Sequence, residues 1–323
     1  VLKSVCKNTI FLILVFLLFH FELGANTNSN AAMAAASQAR NSKLSAILLQ
    51  NYNFKFNTAD SLLNNYEKEA GSSSDILLAR STILWWKIIS EKNSILKNKY
   101  TQNLSEAEKL LFKERSKNEN EFLYKAISLY GFGARMDGLE KNYFKAILKI
   151  NNCLKYITKT LGKEENFIYF YLSSGLYNYY TVNTEDAYPL IVPYLSLYPK
   201  GNLDQGIKYL QVAANTNDVV LSTEANYFLM KIYLDKKNYS EAEKYCSKLV
   251  TKYPSNLLFL YYNFILLLKQ DNLYKAKVFM ARIKIAAKNN TQLSEVQRKY
   301  FYDMADDDIK NYEKDKKTVL ISD

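Results

Sequence analysis

The chain contains one histidine, His20, in 323 residues. Beyond it there is none, so Ser-His-Asp and Cys-His nucleophile arrangements, His-ligated zinc and imidazole acid–base catalysis are excluded over residues 21–323. Any catalysis would run on carboxylates, Lys or Tyr, and no paired motif of these stands out. Proline (four) and glycine (nine) are scarce. That excludes an all-β sandwich, which needs a turn roughly every 8–12 residues. Cysteine is limited to Cys6, Cys153 and Cys246. Cys153 and Cys246 lie far apart on apolar helical faces and read as buried thiols, with a single bridge as the alternative, and not as a disulfide framework.

Leu, Lys, Ala and Asn fill the space left by the missing punctuation, and the chain reads as all-helical. Tyr is abundant at 27, which supplies many half-buried positions with an apolar body and a polar tip. At the N-terminus, Lys3 and Lys7 flank a charged n-region and Ile10 to Phe19 form an apolar run of about ten residues. The polar stretch after it has a small residue at Ala25. This predicts a signal peptide over 1–25 and an exported protein, with an uncleaved anchor as the alternative. No cysteine stands in the polar stretch directly after the apolar run, so no lipoprotein signal is expected. Loss of Lys3, Lys7 and Glu22 changes the net charge from +11 to +10. The lysines are spread along every helical segment. They predict a solvated basic surface, no nucleic acid, and outside the cytosol an anionic surface or acidic partner.

Residues 233–254, YLDKKNYSEAEKYCSKLVTKYP, carry a spacing that recurs. Ala276 follows Ala242 by 34 residues and Phe279 follows Tyr245 by 34. Leu229, Tyr233, Tyr239, Ala242 and Pro254 occupy large, aromatic, aromatic, small and proline positions. Over residues 223–290 the chain resembles the tetratricopeptide repeat (TPR) family, whose unit is a 34-residue antiparallel helix pair. The resemblance extends to exported TPR proteins of Gram-negative bacteria. The small residue lets the second helix approach the first, Tyr233 and Tyr239 fill the wedge beside it, and Pro254 stops the second helix. Ser240 is the expected cap, with Glu243 completing a capping box. Further small residues at 59, 107, 146 and 206 (Ala59, Ala107, Ala146, Gly206) mark weaker copies upstream. The expected fold is an all-α, irregular TPR-like α-solenoid with a C-terminal capping helix. Its expected divisions are a disordered lead at 26–40, an N-terminal repeat subdomain at 41–181 and a Pro-containing insertion at 182–202. TPR-like repeats at 203–290 and a cap with charged tail at 291–323 complete it.

The resemblance implies a partner-binding concave face made by the first helix of each pair. Carried over, its positions are Glu224, Tyr227, Lys231, Leu234 and Asp235. In the next unit they are Leu258, Tyr261, Ile265, Leu268 and Lys269, a mostly apolar set that the C-terminal helix would cover. The TPR subset that clamps a carboxylate has Lys where this chain has Tyr227, so chaperone-tail binding is not implied. Trp85, Trp86, Tyr177 and Tyr180 are aromatic surface candidates, weighed against simple packing, for a peptide or for sugar rings. The GFGARMDG stretch at 131–138 lacks a preceding strand and a GK[ST] ending, so it reads as close helix packing. Asp306 to Asp308 lack the glycine turn and spaced Glu of a calcium loop. No cofactor and no metal are expected. The expected function is a non-catalytic scaffold for protein partners in the cell envelope, periplasmic or exported, in outer-membrane protein assembly or secretion. The rivals are a glycan-capture protein and a carboxylate enzyme on a helical scaffold.

Overall fold

A computed structural model describes residues 31–91, 94–114, 118–183 and 192–322. The expected signal peptide and residues 184–191 of the insertion lie outside the described residues. Among the described residues all regular structure is helical: α1 (Ala31–Tyr52), α2 (Phe56–Ala70), α3 (Ser74–Glu91), α4 (Ser94–Glu114), α5 (Glu119–Leu139), α6 (Tyr143–Ile157) and α7 (Phe170–Asn183). After the single turn α8 (Val192–Leu195) come α9 (Leu203–Ala214), α10 (Val219–Asp235), α11 (Tyr239–Lys252), α12 (Leu257–Lys269), α13 (Leu273–Asn289) and α14 (Glu295–Ser322). Consecutive helices pack as neighbours, including α4 with α5, α5 with α6, α7 with α9 and α12 with α13, and α14 lies on α12 and α13. The fold is an irregular α-solenoid of antiparallel helix pairs closed by a capping helix.

α1 corrects the expected disordered lead. Helix begins at Ala31, inside the stretch AAMAAASQAR. Alanine has the highest helix propensity, so this segment extends the helix that follows it.

The small residues at 59, 146, 206, 242 and 276 each occupy the fourth position of the second helix of a pair, and all are buried. Ala107 is buried too, but it lies in the middle of α4, so the SEAEK copy there does not begin a helix. One turn recurs ahead of the small residue. Lys141, Lys237 and Asp271 adopt left-handed φ of 62°, 57° and 56°, and Phe54 adopts 58°. The next amide reaches back five residues: Asn142 to the Asp137 carbonyl, Asn238 to Tyr233, Asn272 to Leu267 and Lys55 to Gln50, at 2.7–3.0 Å. This is a Schellman closure without glycine. Its last residue then starts the next helix.

That geometry corrects the expected cap. Asn238, not Ser240, accepts from the Glu241 amide (3.2 Å), as Asn272 does from Lys275 and Asn202 from Gln205. Ser240 is already inside α11. Tyr233 finds its partner in Tyr245, stacked at 5.7 Å with 3° between planes. Tyr253, held out of the helical region before Pro254, ends α11 (φ −131°, ψ 68°).

The chain forms two compact units that interleave along the sequence. Of the described residues, one takes those up to Leu49, those of 60–85 and those of 94–225; the other takes those of 50–59, those of 86–93 and those from Asn226 onward. In the first, the fully buried Arg135 guanidinium lies 4.1 Å over Trp85 and 4.3 Å over Phe132. Its Nε donates to the Tyr100 hydroxyl (2.9 Å), which donates to the Phe132 carbonyl (3.0 Å). Buried Lys125 pairs with Asp75 at 2.8 Å. Between α7 and α9, Gly175 and Gly206 allow backbone-level contact, because a Cβ on Gly206 would meet the Tyr179 nitrogen at 2.7 Å and the Gly175 oxygen at 2.8 Å.

In the second unit, Trp86 is surrounded by Tyr52 (5.5 Å), Phe259 (5.5 Å) and Phe54 (6.0 Å). Side chains from the C-terminal helices and the turns beside them hold the 50–59 turn and the end of α3. Asn256 donates to the Tyr52 carbonyl, Asn290 to the Phe54 carbonyl, Gln292 to the Thr58 hydroxyl and Gln297 to the Ser90 hydroxyl. These partners are 204 to 236 positions apart in sequence. In a simple solenoid each repeat touches only its neighbours, so these contacts set the fold apart.

The cores make the protein alkali-sensitive. Burial raises the Cys153 and Cys246 thiols, and it lifts the Tyr100 hydroxyl to about 12 against the opposing pull of Arg135. Each group stays neutral in the fold after it has ionised in the unfolded chain. Its stabilisation is complete below the unfolded pKa and declines as pH rises toward the folded one. Urea midpoints are expected to be level from pH 7 to about 8, to fall from about pH 8.5 as unfolded thiols ionise, and to fall more steeply above about pH 10. A midpoint unchanged at pH 10.5 would contradict this.

Candidate interaction surface

α13 reads Leu273–Asn289, LYKAKVFMARIKIAAKN, with five basic residues and no acidic one. One face is inward: Ala276, Ile283 and Ala287 are buried, and Phe279, Met280 and Ala286 are half-buried. The opposite face is exposed and is also apolar along its middle. Tyr274 is 81% exposed, Val278 46% and Ile285 60%, with Ala281 exposed between them. Their spacing of four, three and four is the seam of a heptad, one residue wide. Lys275, Lys277, Arg282 and Lys284 flank it, all exposed. Lys277 is paired with Glu313 of α14 (3.0 Å), and Lys284 lies 4.3 Å over the Tyr302 ring. Arg282 lies over the Phe279 ring of its own helix at 4.5 Å.

The seam ends in a groove of about 470 Å³ beside the C-terminal turns of α13. Ile285 and Arg282 form one wall, and Lys55, Ser255, Asn289 and Thr291 help to form the rest. None of the lining residues is acidic. Lys55 stands just before α2 and Ser255 just before the α12 cap Asn256, and amides of those first turns are already taken, Thr58 by Gln292 and Phe259 by Asn256. Every residue of seam and groove belongs to the second unit.

The residues singled out in the sequence lie elsewhere. Tyr227 and Lys231 are buried; Tyr227 sits 6.4 Å from Trp86, and the Lys231 ammonium lies 5.1 Å over the Tyr262 ring. Leu234 is half-buried, Asp235 is exposed, and Glu224, in the first unit, is buried. Of the next set, Tyr261 donates a short hydrogen bond to Asp308 of α14 and lies 6.4 Å from Phe301, so the C-terminal helix does cover that helix. Leu258 and Ile265 are half-buried, Leu268 is buried and Lys269 is exposed. Trp85, Trp86, Tyr177 and Tyr180 are not surface aromatics: all four are at least 95% buried. Tyr177 spends its hydroxyl on the Pro199 carbonyl. Neighbouring tryptophans on one helix point about 100° apart. Here each enters a different core, which explains two buried rings in succession.

Two of the buried carboxylates are held in ion pairs, Asp75 with Lys125 and Asp137 with Lys149 at 2.6 Å. Glycines 131, 133 and 138 all lie within α5 and are buried. Among the described residues no group of three or more His, Cys, Asp or Glu side chains is arranged to hold a metal ion. No described helix is long and apolar enough to cross a membrane. No family model, curated protein or solved structure matches the chain.

Proposed function

We propose that this protein is a non-catalytic, exported scaffold of TPR-like helix pairs that holds a protein partner in the cell envelope. The observation that carries the proposal is the outward face of α13, an exposed apolar seam on a helix whose other face is already packed. A helix with two apolar faces and one solvent-facing has a surface to share. A basic field over that face raises the encounter rate with acidic partners. The N-terminal pattern of Lys3, Lys7 and Ile10 to Phe19 supports export, and the 34-residue spacing of Ala242 and Ala276 supports the TPR relationship. Service in outer-membrane protein assembly or secretion is the setting in which such exported scaffolds act. The aromatic candidates for glycan stacking are in the core, so nothing in the site favours sugar capture over protein binding. Cross-linking mass spectrometry on intact cells tests the reading. It is expected to join lysines of α13 to one protein in stoichiometric yield, and recovery of no such protein would contradict it.

A further inference from the structure

Resting on that reading, we infer that the outward face of α13 docks an acidic amphipathic helix of a different protein. The occupant lies along Tyr274, Val278, Ala281 and Ile285, with its carboxylates against Lys275, Arg282 and Lys284. The four-three-four spacing selects a helix, because it is the row that another helix fills with its own knobs. An extended strand, with period two, would meet every second residue and leave the seam unmatched.

Charge selects the sign of that helix. The positions bordering the seam are Lys275, Lys277, Arg282 and Lys284, with no acid among them. Lys277 is already matched by Glu313, whereas Lys275, Arg282 and Lys284 have no carboxylate partner among the described residues. A second copy of this chain would bring the same basic borders. Parallel pairing sets each border against the other and antiparallel pairing sets each against itself, and both oppose cation to cation. Self-pairing is therefore disfavoured by every arrangement. A lipid surface fits less well, since membrane-lying helices bury a broad face rich in Trp, Phe or Leu, and this seam is one residue wide with alanine in the middle.

The test is a titration of the full protein with a labelled helical peptide of about three heptads, Leu at the seam and Glu at its borders. A control peptide has Lys at the borders. The acidic peptide is expected to bind with a micromolar Kd, and the control about 10-fold more weakly, from three border pairs of about 0.5 kcal/mol each. The variant V278D/I285D, altered only at exposed positions, is expected to lose the acidic peptide with its circular dichroism unchanged. K275E/R282E/K284E is expected to reverse the preference toward the Lys peptide, which a loss of folding could not produce. Equal affinity for the two peptides would overturn the inference. So would a dimer by sedimentation that V278D/I285D dissociates, or binding to phosphatidylglycerol vesicles that the same variant loses. If the acidic peptide fails while α13 lysines still cross-link to one envelope protein, the scaffold reading stands and the acidic helix falls. If both fail, both fall.

Discussion

Replacing Trp86 by alanine is expected to cost about 3–5 kcal/mol of stability, the range for deleting a large aromatic side chain from a packed core. The position is 98% buried, and its ring meets Tyr52, Phe54, Tyr227 and Phe259 at centroid distances of 5.5–6.4 Å. Those rings come from α1, the 53–55 turn, α10 and α12, so one deletion loosens the contact of four chain segments. Trp86→Phe is expected to cost less than about 1.5 kcal/mol, because a ring remains. The indole Nε1 has no hydrogen-bond partner among the described residues, so its loss removes a buried donor left unsatisfied there. Urea midpoints followed by circular dichroism check both variants, and a loss below about 1 kcal/mol for W86A would contradict the core assignment.

Gly206→Leu is expected to destabilise by about 3 kcal/mol or more, and Gly206→Ala by less. The obstacles to a Cβ at 206 are backbone atoms, the Tyr179 nitrogen at 2.7 Å and the Gly175 oxygen at 2.8 Å. A backbone cannot swing aside as a lysine tail can, so α7 and α9 must separate. Overpacking of this kind costs about 1–3 kcal/mol even for small insertions. Alanine recovers about 1 kcal/mol in helix propensity, which offsets part of its clash. Leucine brings the same gain and a side chain with no cavity to enter. Melting curves that rank G206L at or above the wild type would contradict the close approach of these helices.

The repeated helix pair was legible because its requirements are local. A small residue at the closest point and a proline after the second helix are steric demands, and Ala242, Ala276 and Pro254 state them in the sequence. The upstream pairs also show in Ala59, Ala146 and Gly206, each at the fourth position of its helix. Asparagine is a further local signal: Asn142, Asn202, Asn238 and Asn272 each precede the small residue by four, and each stands at a helix start. Ser240 competes with Asn238 in the sequence because serine is also a good cap, and only the backbone turn decides between them.

Other features were hidden for physical reasons. Left-handed turns at Lys141, Lys237, Asp271 and Phe54 carry none of the glycine by which such turns are usually read. The attachment of the 50–59 turn to residues 253–301 pairs groups more than 200 positions apart, and no periodicity encodes that. It is also why aromatics that look surplus to one helix face are buried, since a second set of elements covers them. The seam of α13 was obscured in turn. Apolar residues occupy both faces of that helix, and the sequence does not say which row is inward until α12 and α14 are in place.

These observations converge on one surface. The first unit holds the Arg135 box and the Lys125–Asp75 pair in its interior. The second buries its aromatics around Trp86 and leaves α13 with a basic-bordered seam outward. The central claim is that this surface, and no other face of the protein, holds the partner. It is tested most directly by cross-linking intact cells with an amine-reactive reagent and reading the yield lysine by lysine. Lys275, Lys277, Lys284 and Lys288 on α13 are compared with Lys68, Lys109, Lys113 and Lys145, which are equally exposed in the first unit. The account predicts links from the α13 lysines to a single protein, at carboxylate-flanked helical segments of that protein, and their loss in V278D/I285D. Links of equal yield from both sets of lysines, or links from α13 that survive that variant, would contradict it.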